Sequence, residues 1–170
     1  MNLDFIYFEN GIDRIAERLP GMPRDRVVIN RLFFYIFNEL DDVYNQHLSE
    51  FGLNSSSFLA LAMILMSNEE NRLNPSHLGE ALVASRTNVT RLTDDMVRSG
   101  WVSRKPSMQD RRRVELSLTP DGRKLILNVL PIIWRRIEQQ WADFSPAEVV
   151  ELDRLLRKML EGLQRFKAAS

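Results

Sequence analysis

Apolar positions fall into helical spacing over most of the chain. Ile6, Ile12, Ile15, Ala16 and Leu19 predict a short N-terminal helix or arm, ended by Pro20-Gly21-Met22-Pro23. From Asp25 to about Phe51 the set Val28, Leu32, Tyr35, Ile36, Leu40, Val43, Tyr44 and Leu48 advances by threes and fours, as a long amphipathic helix requires, and Gly52 closes it. Asn54-Ser55-Ser56-Ser57 offers N-capping side chains to a further helix. Its run Phe58 to Met66 is apolar almost all round, which marks it as central to the core.

Asn74 followed by Pro75 is a helix start, leading through Leu78, Ala81 and Leu82. After a tight connection at Val83-Ala84, Ser85 caps a second helix. Val89, Leu92, Met96 and Val97 lie on one stripe of it, and Arg86, Thr87, Thr90, Arg91 and Asp94 lie on the other. Two helices joined by a few residues, the second opening on hydrogen-bonding side chains, predict a helix-turn-helix whose second helix enters the DNA major groove. The residue types suit base reading. Arginine pairs in bidentate fashion with guanine and asparagine with adenine, while threonine donates, accepts or touches a thymine methyl. Ser85, Arg86, Thr87, Asn88, Thr90 and Arg91 are therefore candidate DNA contacts.

Ser99-Gly100 ends that helix, and the stretches Trp101 to Lys105 and Val114 to Leu118 both alternate apolar with polar, as half-buried strands do. The tip between them carries Asp110-Arg111-Arg112-Arg113 and is flanked by Arg104 and Lys105. A hairpin so armed is a wing that would meet phosphates or the minor groove. Asp110 could pair with Arg112 to hold the tip in one shape. Thr119-Pro120-Asp121-Gly122 caps a helix running from Arg123 toward Trp141, with a kink expected at Pro131, and Ser145-Pro146-Ala147-Glu148 opens a last amphipathic helix. The long amphipathic helices outside the winged unit leave apolar area best covered by a second copy of the chain.

Composition narrows the function classes. The 170 residues carry 23 basic and 23 acidic side chains, so bulk charge says nothing about a nucleic-acid partner. The distribution does: residues 85–113 hold eight basic and three acidic side chains, whereas residues 1–50 hold five basic and nine acidic. Without cysteine and with only two histidines, His47 and His77, a thiolate cluster, a structural zinc or any other metal site is not expected. No phosphate-cradling glycine loop, serine elbow or paired-histidine motif points to an enzyme, no catalytic residue is assigned, and no cofactor is implied. The first residues lack a basic leader and the apolar runs are short, so a cytoplasmic protein without a membrane span is expected.

Ser85-Arg86-Thr87-Asn88-Val89-Thr90-Arg91, Gly100-Trp101-Val102 and above all Asp110 to Thr119 resemble the MarR (multiple antibiotic resistance regulator) family, over about Asp25 to Leu163. Within the family the likeness is greatest to the Emr multidrug-efflux-pump repressor type, on the Ser-Arg-Thr-Asn opening and the break at Leu130-Pro131. The resemblance implies a mainly α fold with a small β-hairpin wing: a winged helix-turn-helix plus interlocking N- and C-terminal dimerisation helices. Residues 1–53 would form the N-terminal arm and dimerisation helix, 54–119 the DNA-binding domain and 120–170 the C-terminal dimerisation helices, within one compact domain. It also implies a homodimeric repressor on a palindromic double-stranded operator, released by a small phenolic or amphipathic effector. Phe34, Phe58, Met66 and Trp134 are the apolar candidates for the effector site, with Arg31 as a carboxylate partner.

Each reading has a plainer rival. The polar stripe after Ser85 could be an ordinary solvated face, but the charge around it and the wing that follows favour base contact. Residues such as Phe34, Phe58, Met66 and Trp134 are more often plain core than pocket lining. A winged-helix adapter docking an acidic protein would share the fold without DNA specificity, and only sequence preference would separate it from an operator reader.

Overall fold

The computed structural model describes residues 3–67, 72–82, 85–106 and 114–169. Its elements run α1 (Leu3–Arg18), α2 (Arg24–Ser49), α3 (Ser55–Met66), β1 (Arg72–Leu73), α4 (Pro75–Ala81), α5 (Arg86–Arg98), β2 (Val102–Pro106), β3 (Val114–Leu118), α6 (Pro120–Gln140) and α7 (Pro146–Ala169). The fold is thus mainly α with a small antiparallel sheet, as the pattern predicted. By their internal contacts residues 1–126 form one unit and residues 127–170 another.

In the first unit the predicted punctuation is made by the predicted atoms. Asn54 and Ser57 cap α3 reciprocally: Ser57 N–H donates to Asn54 Oδ1 and Asn54 N–H to Ser57 Oγ, both at 2.9 Å. Asn74 accepts from Ser76 N–H ahead of Pro75, and Ser85 accepts from Asn88 N–H at the start of α5. Gly100, at φ +74, ends α5 in the left-handed region; its N–H donates to the Val97 carbonyl while that of Trp101 reaches back to Met96. This paired pattern is the Schellman motif, which satisfies two carbonyls the helix would otherwise leave bare.

The core lies around α3. Ala60, Leu61 and Ile64 are buried there with Leu48 of α2, Leu78 of α4, Val89 and Met96 of α5, and Val102 and Leu116 of the sheet. The all-round apolar character of α3 is not fully used, since Leu59 and Met66 stay exposed. The sheet has the order β1-β3-β2, with β2 and β3 in register from Val102 opposite Leu118 to Pro106 opposite Val114. Strand β1 was not foreseen: two residues are too short for any alternation to register, and Arg72 and Leu73 are drawn into a strand by pairing with Ser117 and Leu116. A smaller cluster of Phe5, Ile12 and Val28 joins α1 to α2. Arg24 reinforces it, its guanidinium donating to Asp13 at 2.7 Å and Glu9 at 3.2 Å.

The helix α6 starts at Pro120, earlier than expected, because Thr119 caps it. Thr119 Oγ1 accepts from Gly122 N–H at 3.0 Å and itself donates to the Gly100 carbonyl at 2.6 Å. Gly122 lies so close to Trp101 that a Cβ placed there would stand 1.9 Å from the Trp101 carbonyl oxygen. In the second unit α6 continues through Pro131 without a break. Ser145 and Glu148 form the expected capping box at α7, with Ser145 N–H donating to the Glu148 carboxylate at 2.8 Å and Glu148 N–H to Ser145 Oγ at 3.3 Å. No residue of α7 is buried, and its stripe of Leu155, Leu156, Leu160, Leu163 and Phe166 is exposed. Among the described residues no helix is long and apolar enough to cross a membrane.

Gly122→Ala should cost about 1–3 kcal/mol in urea unfolding, since the clash is with backbone that cannot rotate away. The hydrogen bond from Arg24 holds the Asp13 carboxyl below its ordinary value of 3.8. A depressed folded value means the contribution is complete above 3.8 and is lost as pH falls through the folded value. Melting temperatures of wild type and Arg24→Met should therefore converge as the pH is lowered from about 5 to 2.

Candidate nucleic-acid interface

The face of α5 that the alternation of buried and exposed residues leaves outward is the predicted one. Val89, Thr93 and Met96 are buried, while Arg86, Thr87, Asn88, Thr90 and Arg91 are exposed together with the cap Ser85. The structure therefore brings all six candidate DNA contacts to the N-cap and first two turns of one helix. Thr90 spends its hydroxyl proton on the Arg86 carbonyl at 2.9 Å, so what it can offer a base is a lone pair or its methyl. Arg91 borders two hollows on this surface. One, of about 450 Å³, is lined by Asn54, Ser56, Leu82, Asn88, Leu92 and Asp95; the other, of about 440 Å³, by Arg86, Thr87, Thr90, Asp94, Asp95 and Arg98. From that position its guanidinium has room to either side of the helix.

Both carboxylates of α5 are matched by arginine. Asp95 pairs with Arg98 at 3.1 Å and Asp94 with Arg104 at 2.6 Å. Among the described residues neither Arg86 nor Arg91 is ion-paired, so the field over the start of the helix is positive, which is the sign a phosphate backbone selects.

Arg104 and Lys105 were expected side by side as wing contacts, but adjacent residues of a strand point to opposite faces. Arg104 shares its face with buried Val102, and its Nη2 donates to Thr93 Oγ1 and sits on Asp94 Oδ1, each at 2.6 Å. Lys105 is exposed and stands opposite Glu115 in the register. Asp110, Arg111, Arg112 and Arg113 lie outside the described residues. Thr93, 2% exposed, is the participant the sequence reading passed over. Its place on the buried stripe of α5, in phase with Val89 and Met96, together with the shared face of Val102 and Arg104, was the available signal.

The candidate effector residues lie on α2, α3 and α6. Arg31 on α2 stacks its guanidinium over the rings of Phe8 and Tyr35, 5.3 and 4.9 Å from their centroids. Phe34 and Met66 are exposed on α2 and α3, and Phe58 is half-buried at the start of α3. Trp134 is exposed on the part of α6 that belongs to the second unit.

Residues 53–114 match the model of the MarR family. The chain is 32% identical over 167 residues to the transcriptional repressor MprA of Escherichia coli K12, covering 98% of this chain and 94% of that one. Among solved structures it resembles a mutant form of E. coli MarR in complex with operator DNA, with a TM-score of 0.72, 24% identity and coverage of 82% of this chain and 99% of that one. It also resembles Bordetella bronchiseptica BpsR, whose DNA binding is regulated by 6-hydroxynicotinic acid, with a TM-score of 0.67, 21% identity and coverage of 77% and 91%.

The cap is the most local determinant of the interface. Ser85→Ala should cost about 1 kcal/mol and speed amide exchange in the first turn of α5, which hydrogen-exchange mass spectrometry would read. From the helix-turn-helix, the sheet beside it and the full-length likeness to MprA, this chain belongs to the MarR family of DNA-binding transcription regulators, within it to the Emr repressor type, and is not an enzyme.

Proposed function

We propose that the protein is a homodimeric repressor that reads a palindromic operator and is released by a small aromatic or amphipathic ligand. The observation that carries the reading is the exposed first two turns of α5, where Arg86, Thr87, Asn88, Thr90 and Arg91 stand outward while Val89, Thr93 and Met96 tie the helix to the core. Ser85 joins them as a phosphate contact, and Lys105, Asp110, Arg111, Arg112 and Arg113 are further candidate contacts to the DNA backbone. The likeness to MprA supports repression.

The dimer is supported by α7, whose apolar stripe has no buried member within one chain. A second copy is the cover of matching chemistry, and a twofold dimer reads a palindrome. In this arrangement residues 1–53 and 120–170 serve dimerisation and residues 54–119 read DNA. Ligand control is supported within the first unit by exposed Phe34 and Met66, by half-buried Phe58, and by the stacked cation of Arg31, which suits an organic anion, while Trp134 is a separate exposed candidate on the second unit. Release requires only that the ligand favour one spacing of the two readers, and a coupling of about 1–3 kcal/mol suffices.

Selection of bound sequences from a random duplex pool at near-physiological salt tests this reading. A palindrome with half-sites about 10 bp apart should be enriched. Arg91→Ala should relax base preference at one position of each half-site, at a cost of about 1–3 kcal/mol, whereas Arg112→Ala should weaken all sequences alike. Folded protein that enriches no sequence would move the basic face to an acidic protein partner.

A further inference from the structure

The pair Arg104–Asp94 does more than neutralise charge. Arg104 is the third residue of β2 and stands opposite Leu116 in the register, on the face of the sheet that carries buried Val102. Its Nη2 meets two acceptors of the recognition helix at once, the Asp94 carboxylate and the Thr93 hydroxyl, each at 2.6 Å. That hydroxyl then donates to the Thr90 carbonyl at 2.9 Å. A continuous chain of hydrogen bonds thus runs from the wing strand, through a buried threonine, to the turn of α5 that bears Thr90 and Arg91. The geometry fixes direction as well as distance, because a hydroxyl accepting from a cation is polarised to donate more strongly to the carbonyl beyond it.

From this arrangement we infer that Arg104 is a positioning residue, which keys the hairpin to the recognition helix through Asp94 and Thr93 and thereby sets DNA specificity, not a phosphate contact. The inference rests on the DNA-reading role proposed above. Its physical basis is that base readout needs helix and wing to meet the duplex at one mutual angle, and two packed elements joined only by apolar contact can slide. A charged bond to two acceptors one residue apart on the helix resists that sliding. Ion-pair strength at the surface is small, so the consequence belongs to orientation and discrimination more than to global stability. Asp94 then has a reason to stand on a helix that approaches polyanionic DNA, where a carboxylate otherwise opposes binding.

The two roles give opposite signs for one substitution. If Arg104 touches phosphate, Asp94→Asn removes a repelling charge and frees the arginine, so binding tightens. If Arg104 is the key, Asp94→Asn loosens the hairpin, and binding to the selected operator weakens by about tenfold while binding to random duplex changes far less. Arg104→Lys adds a second arm. It keeps the charge a phosphate would see, but its shorter side chain ends before the position from which Nη2 meets both acceptors, so it should shift toward Arg104→Met. The double variant Asp94→Asn with Arg104→Met should be no worse than the poorer single one, since both weaken the same charged contact.

The measurement is titration of wild type and these variants against operator and random duplex over a range of salt, with circular dichroism and melting temperature recorded for each. The proposal is overturned if Asp94→Asn binds the operator as tightly as wild type or tighter. It is equally overturned if Arg104→Lys matches wild type while Arg104→Met loses about one phosphate contact in the salt dependence, a slope change of about 0.9. Failure of the wild type to prefer any sequence would instead remove the operator reading itself, before any variant is compared. Should Asp94→Asn melt early, Arg104→Lys alone carries the decision.

Discussion

Trp101 and Thr119 are joined backbone to backbone, Thr119 N–H on the Trp101 carbonyl at 3.0 Å, and the Thr119 hydroxyl closes the same junction on Gly100. Four elements depend on this point. The Schellman turn of Gly100 ends the recognition helix there, β2 departs from it and β3 returns to it, and Thr119 caps α6 through Gly122 N–H. Because the junction is made by backbone groups and one short side chain, its geometry has little freedom. That is why Gly122 carries no Cβ: the space is filled by the Trp101 carbonyl. The base of the hairpin is therefore set by covalent reach and hydrogen bonding, and its direction farther out must be set by something else.

That second determinant is the contact of Arg104 with Asp94 and Thr93. A two-stranded ribbon held only at its base twists and bends easily, and the helix beside it offers the nearest rigid surface. Placing a guanidinium on β2 in phase with Val102 lets one strand face combine apolar packing at Val102 with a directed polar bond at Arg104. The same carboxylate that anchors the arginine lies on the helix that carries exposed Arg86, Thr87, Asn88, Thr90 and Arg91. The anchor and the exposed polar face thus share one helix of 13 residues.

The remaining chemistry is organised by what stays exposed. The start of α5 keeps Arg86 and Arg91 outward, and the last helix keeps a whole leucine stripe outward. These surfaces differ in kind, one cationic and hydrogen-bonding, the other apolar. They suit different partners: a polyanion for the first, a like apolar face for the second.

Helix starts and stops were legible in the sequence because each is decided by a few neighbouring atoms: Asn54 with Ser57, Ser85 with Asn88, Gly100 at positive φ, Ser145 with Glu148. The outward face of α5 was legible for the same reason, since helical period alone separates Val89 and Met96 from Arg86, Thr90 and Arg91. The two-residue strand of Arg72 and Leu73, the buried role of Thr93 and the partners of Arg104 were not, because each depends on residues of another element, well separated along the chain. A lone arginine on a strand carries the same local signal whether it meets a phosphate or a carboxylate. Local chemistry thus determined the elements and the character of their faces, and tertiary packing decided which cations are engaged within the chain, because only the placement of β2 beside α5 brings Asp94 within reach of Arg104.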